Sequence, residues 1–167
     1  MNENSDQDAK KFLILLQERV AELLTLSMAP KNRPDGINFE DYQKFRNMMG
    51  ECLSFLIIIE RRIEQSESSK KEELSEQFDE LTTAIWSILL DGSLGFLNVI
   101  SKIDFLPIGT KHVFVQELKT LYDAEKVLKQ EKFEKYLKND VLSHRHKAER
   151  ILEQVIDRAP QLLQLEI

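Results

Sequence analysis

The stretch SHRHKAER, Ser143 to Arg150, holds two of the three histidines in the chain. His144 and His146 are two residues apart, which on a helix separates them by about 160°, so one metal ion cannot readily take both. His146 and Glu149 are three apart and share a face, enough for two ligands. Di-iron helical bundles use Glu-x-x-His, repeated, with two further glutamates. Here the order is reversed and the pattern occurs once. The expectation is therefore no metal site and no cofactor, with these residues opening a helix as solvated polar groups.

The same residues support a second reading. His144-x-x-Lys147-Ala148 resembles the His-x-x-Lys-Gly phosphoacceptor motif of histidine phosphotransfer domains. That resemblance covers five residues. It implies a helical bundle with an exposed His144 accepting a phosphoryl group and Lys147 holding its oxygens. The chain departs from the motif at Ala148, where glycine gives a docking regulator room. It departs again at Glu149 and Arg150, where that family tends to have small residues.

Other chemistry is thin. His112 falls in the first turn of a helix beside Lys111, a surface or packing position. No glycine-rich phosphate loop and no Gly-x-Ser-x-Gly occurs. Glu72, Glu73, Glu76, Asp79 and Glu80 read as a solvated acidic face. Lysines recur every third residue from Lys126 to Lys138. A three-residue period spirals around a helix, and glutamates interleave, so no basic stripe forms and nucleic acid is not expected.

The totals agree. The 167 residues, 1–167, suit one domain able to bury a full core without staples. The single cysteine, Cys52, excludes an intramolecular disulfide. The net charge of −6 disfavours nucleic acid and anionic lipid as nonspecific partners. No leader segment is expected, because the N-terminal residues lack a basic stretch, and the longest apolar run, Phe55–Ile59, is far below the ~18 residues of a membrane span. A cytoplasmic protein is the expectation.

These residues must be carried by helices, because apolar positions repeat at helical spacing and strand signals are nearly absent. The first helix is expected over about 6–28, ended by Pro30, Pro34 and Gly36. The second, capped by Asn38, carries Tyr42, Phe45, Met49, Cys52, Leu56, Ile59 and Ile63 in three-four alternation. Phe55, Ile57 and Ile58 widen that stripe nearly all round, which suggests a central helix or an oligomer interface. Gly50 within it is expected to mark a close crossing. A third helix follows a Ser69–Glu72 capping box and is expected to stop at Gly92. Phe114, Leu118, Leu121 and Leu128 define a long helix from Thr110, continued by Phe133, Leu137 and Val141. Glu125–Lys129, Glu131–Lys135 and Glu134–Lys138 pair along it. The last helix is expected to end at Pro160.

Between them lies DGSLGFLNVISKIDFLPIGT, with nine apolar residues in the fifteen positions 94–108. Leaving each exposed would forgo about 1.5–3 kcal/mol, so most must be covered. A short helix over 93–104 closing one end of the bundle is the expected answer. The overall expectation is an all-α antiparallel bundle of four to five long helices with that short helix in the connector.

The function expected is non-enzymatic: a small intracellular regulator, adaptor or chaperone-like module that buries apolar helix faces against a partner protein. A second copy of the chain, a homodimer, is the first partner to consider. Trp86, Phe96, Phe105, Leu106 and Ile58 are the interface candidates. The alternatives are a phosphoacceptor using His144 and Lys147, or a bundle that binds a metal or a small molecule.

Overall fold

A computed structural model describes residues 3–29, 39–67, 69–100 and 110–164. Every regular element among them is helical: α1 (Glu3–Ser27), α2 (Phe39–Glu64), α3 (Lys71–Ile100), α4 (Thr110–Leu128) and α5 (Asn139–Gln164). A 3-10 segment, Glu131–Tyr136, joins α4 to α5. The all-α bundle expected from the spacing is what forms.

The seam on α2 explains the first half. All seven residues from Tyr42 to Ile63 in the three-four series are buried. Acidic Glu40 and Asp41 open the helix and Arg61 and Arg62 close it, each sign matched to the helix dipole. α1 lies antiparallel on α2. Asp6 accepts from Ser66, Asp8 faces Arg62 and Arg19 faces Glu51, so residue numbers rise on one helix as they fall on the other. Leu13, Leu16 and Leu23 of α1 complete a core with α2 and with Phe78, Ile85, Leu89 and Phe96 of α3.

α3 then serves a second core. Leu90, Leu94 and Leu97, on another face, pack with Leu121, Ala124 and Leu128 of α4 and Val141 and Ala148 of α5. Trp86, partly buried, touches both cores. The molecule is two three-helix lobes that share one 30-residue helix.

Four expectations are corrected. α3 does not stop at Gly92; it runs to Ile100, so the separate helix over 93–104 is instead the last turns of α3 as far as they are described. A mid-helix glycine costs about 1 kcal/mol against alanine, and the burial of Leu89, Leu90, Leu94, Phe96 and Leu97 around it outweighs that. The close crossing lies at Gly92 and not at Gly50. A β-carbon at Gly92 would stand 2.7 Å from the Phe45 ring and 3.0 Å from the Ser27 Cβ, whereas Gly50 has open space. The chain over 131–136 is 3-10 and not a continuation of α4. Finally, α5 passes Pro160 and reaches Gln164. A proline removes one helix hydrogen bond and does not by itself end a helix whose turns continue.

Candidate functional site

Because α3 is shared, its surface is covered on two sides and left open between them. Its residues advance about 100° each. Phe78, Ile85, Leu89 and Phe96 point to the first lobe, and Leu90, Leu94 and Leu97 to the second. The two remaining strips become grooves between the lobes.

One strip runs through Phe78, Thr82 and Trp86. Leu53, Leu56, Ile57 and Glu60 of α2 form one wall, and Val127, Gln130, Lys132 and Phe133 the other, around about 350 Å³. The lining is mostly apolar and aromatic. The opposite strip runs through Glu80, Ala84, Ser87 and Asp91. It floors a cleft of about 610 Å³ walled by Leu24 of α1, Lys135 and Tyr136 of the 3-10 segment, Lys138, and Asp140 and His144 of α5. The cleft continues along α1 past Val20, Gln17 and Ile14 through the shared residues Glu80 and Ala84.

His144 therefore stands at a cleft and not on an open face. Its side chain is 31% exposed, and Nδ1 lies 3.5 Å from Asp91 Oδ1. Ala148, one turn on, is fully buried in the second core. The helix face that His144 shares with Ala148 is thus turned toward the bundle, while Lys147 is exposed. The nearby hydroxyls of Thr83 and Ser87 donate to the carbonyls of Asp79 and Thr83, at 2.8 and 2.6 Å. His112 lies beside Gln116 on α4, ring nitrogen to amide nitrogen 2.9 Å.

His146 joins a charge cluster between α4 and α5. Lys129 Nζ is 2.5 Å from Glu125 and 2.9 Å from Glu149, and His146 Nδ1 is 3.4 Å from Glu149. The Lys129 ammonium, more than any other neighbour, holds the Glu149 carboxyl down at about 2. Lys129 itself is raised, chiefly by Glu125. Lys132 faces Asp79 and Lys135 faces Glu76, both on α3. Among the described residues, no group of three or more His, Cys, Asp or Glu side chains is placed to hold a metal ion.

A third polar group was not anticipated. Glu117 of α4 is 0% exposed and faces α2. Its Oε1 accepts from Tyr42 at 2.7 Å and from Arg46 at 3.1 Å, and Arg46 also donates to Thr120 at 2.9 Å. Burial, then Glu117, raises the Tyr42 phenol well above its usual range. Glu117 lies between Phe114 and Leu121 on the inward seam of α4. A carboxylate within an apolar seam was the available signal.

The interface candidates divide. Trp86 lines the apolar groove. Ile58 is 42% exposed on the outer face of α2. Phe96 is buried between the rings of Tyr42 (5.1 Å, edge-on) and Phe45 (5.2 Å). Phe105 and Leu106 lie outside the described residues. Cys52 is buried, and burial, with Glu51 next, pushes its thiol up to about 11, so it stays neutral at physiological pH. No helix among the described residues is long and apolar enough to cross a membrane.

No family model matches the chain, and no curated protein or solved structure matches it at a significant level.

Proposed function

We propose that the protein is a protein–protein interaction module that buries the ridge between α1 and α2 against an apolar helix face of its partner, a second copy of the chain being the first such partner. One observation carries this reading. Phe12 and Phe55 meet across the two antiparallel helices at 6.2 Å, each only partly buried. One turn further along each helix, on the same face, Leu15 and Ile58 are exposed. The antiparallel course puts them on opposite sides of the ring pair, so the four side chains form one elongated apolar strip. The ion pairs Arg19–Glu51 and Arg62–Asp8 frame its ends. An apolar centre with a charged rim is the layout of a binding surface. Each large side chain buried there contributes about 1.5–3 kcal/mol before the costs of association.

Mass in solution tests it. Wild type is expected to be dimeric by light scattering, and Ile58→Glu to be a folded monomer with unchanged helix content. Ile58 makes no part of the monomer core, so the substitution itself is expected to change folding stability by no more than about 0.5 kcal/mol. A wild-type monomer across the concentration range, or a dimer that Ile58→Glu leaves intact, would remove the ridge from this role.

A further inference from the structure

The ridge between α1 and α2 carries one pattern twice. On α1 it is Asp8, Phe12, Leu15 and Arg19, and on α2 it is Glu51, Phe55, Ile58 and Arg62. Each set reads acid, phenylalanine, branched aliphatic, arginine, at spacings of four, three and four. At 100° per residue each falls within a sector of about 60°, so it occupies one face of its helix. The two faces adjoin. Phe12 meets Phe55, Asp8 pairs with Arg62 at one end and Arg19 pairs with Glu51 at the other. All four charged side chains remain 42% to 52% exposed, and Leu15 and Ile58 are exposed as well. Because the helices run antiparallel, the signs alternate around the four corners: Asp8, Arg62, Glu51, Arg19.

Given the self-association proposed above, we propose that these four corner charges select a second copy of the chain as the partner of the ridge. A face with alternating corners is its own complement. Turned over about an axis across the helices, it sets Asp8 on the partner's Arg19 and Arg62 on the partner's Glu51. Turned over about an axis along the helices, it sets Asp8 on the partner's Arg62 and Arg19 on the partner's Glu51. Either way all four corners meet the opposite sign, and the four apolar side chains of one copy cover the four of the other. Each end of the contact closes into a ring of four alternating charges. A two-fold contact between identical chains needs such a self-complementary patch. Exposed ion pairs contribute little to affinity, but they fix the register and reject partners whose charges do not match. An apolar helix face without this pattern would leave like charges, or none, against the corners.

Two full-length variants test this by sedimentation equilibrium. Arg19→Glu with Arg62→Glu makes all four corners acidic, and Asp8→Arg with Glu51→Arg makes all four basic. The pairs within one chain are broken in monomer and dimer alike, so a change in the dimer dissociation constant reports the contacts between copies. Each variant alone is expected to dimerise at least about thirtyfold more weakly than wild type, since four attractive corners become repulsive. An equal mixture of the two is expected to recover a dimer at least as tight as wild type, one acidic chain with one basic. Should a charge-reversed variant lose helix content, Arg62→Gln with Glu51→Gln takes its place and is expected to weaken the dimer by about fivefold. A wild-type dimer that Ile58→Glu dissociates, but that the charge variants leave as tight as before or that their mixture does not restore, overturns the selection by charge and leaves self-association through the ridge standing. A wild type that stays monomeric overturns both.

Discussion

Gly50 and Gly92 both lie inside helices, although the sequence marks only Gly50 as a mid-helix glycine and Gly92 as a stop. Their surroundings differ. Gly50 is exposed, and nothing would meet a methyl group there. Gly92 sits where α3 crosses Phe45 of α2 and Ser27 of α1, too close for any β-carbon. Alanine should therefore act in opposite directions. Gly50→Ala is expected to stabilise by about 0.5–1 kcal/mol, because the unfolded chain loses freedom and nothing is crowded. Gly92→Ala is expected to destabilise by about 1–3 kcal/mol through overpacking of a closed site. Urea denaturation midpoints of the two variants check this, and a shift of the same sign in both would contradict the crossing at Gly92. Sequence can flag a helical glycine, but only the approach of a second helix says whether it is needed.

Among the elements, the α4-to-α5 connection shows where local spacing holds and where it fails. Glu125–Lys129 pairs as i,i+4 spacing requires, because both lie on or next to α4. Lys135 instead faces Glu76 of α3. In a 3-10 segment residues four apart point about 120° away from each other, so Glu131 no longer faces it. Lys129 also reaches Glu149 on α5, a contact that no local pattern contains. This gives a pH dependence with a definite sign. The Glu149 carboxyl is held at about 2, below its ordinary value near 4.5. The unfolded state takes up its proton first, so this contribution is fully present above about pH 5. It is lost as pH falls toward 2. Glu149 is 35% exposed and solvent screens the pair, so the effect is at most about 1 kcal/mol. Melting curves at pH 7 and pH 3 for wild type and Lys129→Met test it. The variant is expected to lose less stability on acidification than wild type, and an equal loss would show that Lys129 does not hold Glu149 down.

At the scale of the whole molecule, two lobes are joined by α3 and tied again by the contact of Arg46 and Tyr42 with Glu117. The two partners of that ion pair are not equivalent. Glu117 is fully buried, whereas Arg46 keeps a 23% exposed side chain. Arg46→Met strands a carboxylate with no cation and is expected to cost about 3–5 kcal/mol. Glu117→Leu leaves an arginine that can turn to water, and it should cost less. The double variant, Arg46→Met with Glu117→Leu, is expected to be more stable than Arg46→Met alone, because no unpaired charge remains. Unfolding free energies of the three variants decide this. A double variant as unstable as the sum of the singles would mean that the two side chains act separately.

The periodicity of the sequence determined the helices, their inward faces and the absence of strand signals. It did so because apolar spacing and helix geometry are local properties of a few turns, as the seven buried positions of the α2 seam illustrate. Tertiary structure decided the rest. It carried α3 through Gly92, because burial on two sides outweighs one glycine. It turned His144 toward Asp91 and put Trp86 and Thr82 on one groove floor. It also set Glu117 against Arg46, 71 residues away along the chain. Each of these depends on which helix lies across from which, and a helical pattern says that a face must be covered without saying by what.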